Sequence, residues 1–206
     1  MAAWVSIIPR VLAFTLMVAT GTATAQDTPL IRVRGEIASV DGQLLTVRTG
    51  EGATERVELA SEAKLLAVVP AELGAIAPGT FIGTAAVPRS DGKLTALEVV
   101  VFPEAMRGTG EGHYGWDLAP ESTMTNATVY AAEAATDGRM LILRYPEGEK
   151  TVVVPPQAPV VSLEPGDVTL LRPGWHVFVP SAARRPDGTL STNVVAVGKD
   201  GLVPPM

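Results

Sequence analysis

Hydrophobic and polar positions alternate along most of the chain, and the period is two. Leu45-Thr-Val-Arg48 and Glu55-Arg-Val-Glu-Leu59 each place apolar side chains on one face of an extended segment, as half-buried strands do. Asp41-Gly42, which follows Glu36–Val40, is a dipeptide suited to the positive-φ positions of a tight hairpin turn. The apolar run Leu65–Val69 stops at Pro70, and residues 71–76 allow one helical turn. Pro78-Gly79 then launches a strand over 80–87, and Asp91-Gly92 turns the chain into a strand over 93–102. A second series is predicted at 126–135, 139–145, 149–154, 159–163, 174–181 and 189–198. Short strands punctuated by Gly and Pro define an all-β class. Small closed barrels are the architecture expected, because closure removes exposed strand edges.

The two series resemble one another. Gly42, Gly79 and Gly92, each in a turn motif, recur as Gly138, Gly174 and Gly188, which lie 96, 95 and 96 residues later. Units of this length are paired domains rather than a solenoid. The expected organisation is therefore a β-barrel over 26–102, an inter-repeat loop over 103–125 and a second β-barrel over 126–206. Residues 1–25 read as a signal peptide. Arg10 precedes the apolar run Val11–Val18, and Ala23-Thr-Ala25 offers small residues for cleavage before Gln26. The apolar stretch is shorter than a bilayer requires, so a periplasmic protein without a membrane span after cleavage is expected.

Composition narrows the function classes. Hydrophobic residues make up 47% of the chain and charged residues 18%, which excludes a disordered chain. Beyond residue 25 the acidic residues number 22 and the basic residues 15, a balance that repels phosphate backbones, so nucleic acid is not an expected partner. Cysteine is absent, which removes disulfides, thiolate metal sites, Cys nucleophiles and a lipidated terminus together. No Gly-x-Ser-x-Gly elbow, His-Glu-x-x-His, P-loop or dinucleotide fingerprint is present. A non-enzymatic protein without a cofactor is the simplest reading.

Ser39–Val47, Pro78–Gly83 and Asp91–Val99 follow the order SVDG-x-LTV, PG-x-x-x-G, DG-x-L-x-A-x-x-V. In this the chain resembles a bacterial domain of unknown function that recurs in secreted and periplasmic proteins. With Met106–His113 included, the whole mature chain is similar to a group of uncharacterised exported proteobacterial proteins. The resemblance implies an OB-like small β-barrel and carries no activity. The second series departs from the pattern, with Thr136 where the first has Val40.

Candidate chemistry concentrates in residues 103–125. Tyr114 and Trp116 stand beside His113, one of two histidines, with Glu111 and Asp117 supplying carboxylates. A spacer has no need of large rings. One reading is a ligand-binding site made by His113, Tyr114, Trp116, Glu111 and Asp117, with a metal as one ligand class. The other is a loop whose rings pack into the seam between barrels, as buried aromatics ordinarily do. Three function classes follow: a binding or protein-interaction module, a small metal- or ligand-handling protein that uses residues 104–121, and a structural accessory that docks on an envelope protein.

Overall fold

The computed structural model describes Met1 and residues 30–206, so the signal-peptide reading and its cleavage site before Gln26 lie outside the described residues. The described chain is all-β. Its strands are β1 (Ile31–Asp41), β2 (Leu44–Thr49), β3 (Thr54–Pro70), β4 (Phe81–Pro88), β5 (Leu94–Ala96), β6 (Val99–Val101), β7 (Gly112–Gly115), β8 (Thr123–Ala135), β9 (Gly138–Tyr145), β10 (Gly148–Val154), β11 (Val160–Pro165), β12 (His176–Arg184) and β13 (Leu190–Gly198). Helical structure among the described residues is limited to three-residue turns. None of it is long and apolar enough to cross a membrane.

Local sequence explains most boundaries. In β2 the alternation buries Leu45 and Val47 completely, and in β9 it buries Leu141 and Leu143. The β4–β5 and β12–β13 hairpins turn at Gly92 and Gly188, with φ +80° and +85°. Asp91 and Asp187 brace these two turns by accepting the backbone N–H two residues on. β3 is one strand of 17 residues where the pattern predicts two, because Ala60–Lys64 contains neither Gly nor Pro to stop it. The corresponding stretch of the C-terminal half carries Pro155, Pro156 and Pro159, and there the chain breaks into β10 and β11.

Strand pairing differs from one barrel per half. β1, β2 and β3 close a five-stranded barrel with β13 and β12, through the pairs β1–β2, β2–β3, β3–β13, β13–β12 and β12–β1. The strands that complete it come from the far end of the chain. A second ring of pairings runs β8–β9, β9–β10, β10–β5, β5–β4 and β4–β8, so it takes its last hairpin from the N-terminal half. The expected division between residues 102 and 126 therefore does not separate one ring from the other. Each half supplies a three-stranded meander to one ring and a hairpin to the other.

The exchanged contacts match in register. In the first ring Leu190 pairs with Val57 and Ser191 with Glu58; in the second Leu94 pairs with Val152 and Thr95 with Val153. Both contacts are parallel, and every residue of one set lies 95 or 96 positions from its counterpart. Antiparallel β3 and β11 join the rings, with Leu66 opposite Pro165, Val68 opposite Leu163 and Pro70 opposite Val161. Leu163 follows Val68 by 95 residues, so this register is centred on a pair of corresponding positions. The first hairpins correspond less closely: their tips are Gly42–Gln43 and Thr136–Asp137, so Gly42 and Gly138 occupy different places in their turns.

Three apolar clusters follow from this topology. One fills the first ring and includes Ile37, Leu45, Val57, Val179 and Leu190. A second fills the other ring with Ile82, Val99, Leu141, Leu143 and Val152. The third lies between the rings, where Leu66, Val68, Val100, Leu163 and Phe178 meet Phe102, Met106 and Trp116. Each fully buried large side chain contributes about 1.5–3 kcal/mol, so the seam is a core in its own right.

Candidate functional site

The segment between the halves is ordered by its own glycines. After a short turn at Glu104–Met106, Gly108, Gly110 and Gly112 take φ of +82°, +57° and +139°, which L side chains rarely adopt. They deliver the chain into β7, which pairs with β8 so that Tyr114 lies opposite Met124 and His113 opposite Thr125. The pattern of residues 103–125 gives no sign of this strand, because four residues with two glycines carry no alternation. The glycine run is a backbone device, and it opens no helix that could cradle a phosphate.

Successive side chains on β7 point to opposite faces, which divides the candidate residues. His113 sits with Nδ1 2.8 Å from Thr125 Oγ1, and its ring stacks toward Tyr145 at 6.3 Å. Burial, reinforced by the charge of Lys150, holds its imidazole below the usual histidine range. Tyr114 faces the seam, tilted against Trp116 at 6.1 Å, and burial raises its phenol. Its Oη accepts a hydrogen bond from Asn126 Nδ2 at 3.2 Å. Trp116 packs edge-on against Phe178 of β12 at 6.3 Å. Asp117 accepts two hydrogen bonds from Arg34, at 2.7 and 3.2 Å, and these hold its carboxyl below the usual carboxylate range. Glu111 is exposed. The five residues thus do not converge, and among the described residues no group of three or more His, Asp or Glu side chains could hold a metal ion.

What Tyr114 and Trp116 do line is a cleft of about 440 Å³ between the rings. Its walls are apolar side chains of both halves, among them Leu66, Val100, Phe102, Met124, Leu163, Phe178 and Ala196. Leu30, Thr109, Gly110 and Tyr114 are the exposed members of the lining and mark its opening. Glycine sets one wall: a Cβ at Gly83 would fall 2.5 Å from Asn126 Oδ1 and 3.0 Å from the Phe102 ring. Asn126 is buried and ties that wall to the loop, because Nδ2 also donates to the Thr109 carbonyl at 3.1 Å.

One end of the cleft is cationic. The Arg32 guanidinium lies over the Trp116 ring, 3.9 Å from its centroid, and Arg34 lies 5.0 Å over Phe178. Arg34 Nε donates to the Met206 carbonyl at 2.6 Å, which brings Met206 into the lining. Asp117 is the carboxylate both arginines reach, at 2.7 Å from Arg34 and 3.9 Å from Arg32. Neither arginine is among the candidates the sequence offers, because the first strand is expected over Glu36–Val40. The available signal was the alternation Ile31-Arg-Val-Arg34, which places two basic side chains on one face of a strand. Cavities of this size, apolar with a few polar groups at one place, are the usual form of small-molecule sites.

Compared with protein families, curated proteins and solved structures, the chain matches none.

Proposed function

We propose that the protein is a non-enzymatic binding module of the periplasm. In this reading two OB-like small barrels with exchanged last hairpins hold a small, largely apolar ligand in the cleft between them. The observation that carries the proposal is the cleft itself. Apolar clefts of this size with a few polar groups are the usual form of small-molecule sites, and an apolar one is open to an apolar guest. The exchange of hairpins supports a fixed geometry, because the walls come from β3, β4, β6, β8, β11, β12 and β13, and these strands pair with one another. A site on rigid strands is pre-organised, which lowers the entropic cost of binding.

The metal-handling alternative draws no support from the scattered positions of His113, Glu111 and Asp117. Docking of an envelope protein remains an outcome of the test. The test is a fluorescence titration of the exported chain with phenylnaphthylamine, an apolar dye that brightens when it leaves water. Saturable one-to-one binding is expected, together with its loss in Ser181→Phe, which adds a ring at a lining position that is only half-buried. Dye binding that Ser181→Phe leaves intact would contradict the proposal. Isolation of the protein from the periplasm with Gln26 as its first residue is the expected export result.

A further inference from the structure

Two N–H donors at the cationic end of the cleft are buried and have no acceptor. They are Arg32 Nε and Trp116 Nε1. The two side chains are stacked, with the guanidinium carbon 3.9 Å from the ring centroid, so both donors belong to one small region. Burying a donor without a partner costs about 1–3 kcal/mol, and more when the donor is charged. Buried donors in folded proteins are otherwise nearly always satisfied by protein, water or ligand.

Charge points the same way. Arg32 and Arg34 share Asp117, and the carboxylate is closer to Arg34 by more than an ångström. Arg34 also spends its Nε on the Met206 carbonyl. Arg32 is left with a distant ion pair, an aromatic face beneath it and one unfilled donor. The group that complements it is an anionic acceptor. The remainder of the cleft, from Leu66 and Val100 to Leu163 and Ala196, is mostly apolar, with Asn126 its buried polar side chain.

We infer that the cleft takes an amphipathic monocarboxylate: an aliphatic body among the apolar side chains and a carboxylate received by Arg32 Nε and Trp116 Nε1. The inference rests on the proposed binding function and adds the chemical class of ligand. Guanidinium is suited to the role, because it hydrogen-bonds a carboxylate in a fixed plane while its face stays on the indole. Trp116 then has two functions, as a wall of the seam and as a neutral second donor.

The experiment is isothermal titration of the full exported chain at neutral pH with three probes of equal chain length: decanoate, decanol and decyltrimethylammonium. Decanoate is expected to bind about tenfold or more tighter than decanol, as a charge-assisted hydrogen bond supplies, with the cation weakest. Arg32→Gln should bring the affinity ratio of decanoate to decanol to about one, and Trp116→Phe, which keeps a ring but loses the N–H, should lower it in part. Equal affinity of the wild type for decanoate and decanol overturns the inference while leaving the binding function standing. Failure of every probe, with no dye binding, overturns both. The wild-type ratio decides the matter even if Arg32→Gln fails to fold, and its collapse on acidification below the decanoate pKa is the second expected sign.

Discussion

Glu98 sits between β5 and β6 with its side chain fully buried in the sheet, and it offers a direct measurement of what burial does to a carboxyl. Oε1 accepts the Ala85 N–H at 2.8 Å, while Oε2 has no partner. Burial raises its pKa from 4.5 to about 8, against the opposing pull of the Ala85 hydrogen bond and the Arg34 charge. The folded carboxyl therefore keeps a proton that the unfolded chain releases. Its contribution to stability is complete below the unfolded value of 4.5 and is lost as pH rises through about 8. A factor of ten in the protonation equilibrium is about 1.4 kcal/mol, so the loss approaches about 5 kcal/mol above pH 8 and is about 2 kcal/mol at pH 6. Glu98→Gln keeps the shape and the acceptor for Ala85 but cannot ionise. Urea unfolding of both proteins across this range is expected to give nearly equal stabilities near pH 4.5, with the variant increasingly the more stable as pH rises. A stability difference that stays constant with pH would refute the assignment of a neutral buried acid.

Other predictions concern the cleft walls. Gly83→Ala drives a methyl group into Asn126 and Phe102 and should cost about 1–3 kcal/mol in denaturant unfolding, as overpacking does. Trp116→Ala removes the ring that joins the loop to Phe178 and Arg32, and a loss of about 3 kcal/mol in the same assay is expected. Asp117→Asn breaks the ion pair with Arg34 at a half-exposed position, so less than about 1 kcal/mol is expected at neutral pH. The wild-type contribution of Asp117 should fade as pH falls through its lowered carboxyl value, seen as convergence of the two proteins in acid.

Local pattern carried the strands well and their partners poorly. The alternation in Leu45–Arg48 and the Asp-Gly turns at 91–92 and 187–188 specify a strand or a hairpin from neighbouring residues alone, and β2, β4–β5 and β12–β13 follow. Which meander a hairpin completes is a different matter. Val57 pairs with Leu190 and Val152 with Leu94, and the two hairpins are alike enough in sequence that period two cannot choose between them. The split of one expected strand into β5 and β6 has a similar origin, because Glu98 reads as an exposed position until its burial is seen.

The site was legible in part for the same reason. Tyr114 and Trp116 stood out as rings in a segment with no need of them, and both line the cleft. His113, Glu111 and Asp117 stood out by closeness in sequence, but only His113 lies in β7, where it turns to Thr125, while Asp117 beyond the strand turns to Arg34. The residues that give the cleft its polar end, Arg32 and Arg34, lie more than 80 positions from Trp116. Only the exchanged topology brings them together.

The claim that the seam is a binding site is tested most directly by chemical-shift mapping of the isotope-labelled protein during titration with decanoate. Saturable, one-to-one shifts are expected for the Trp116 indole N–H and Arg32 Nε–H, together with backbone amides of Gly83, Phe102, Tyr114 and Ala196 on the cleft walls. Shifts confined to the outer faces of the rings, or none at ligand excess, would contradict it.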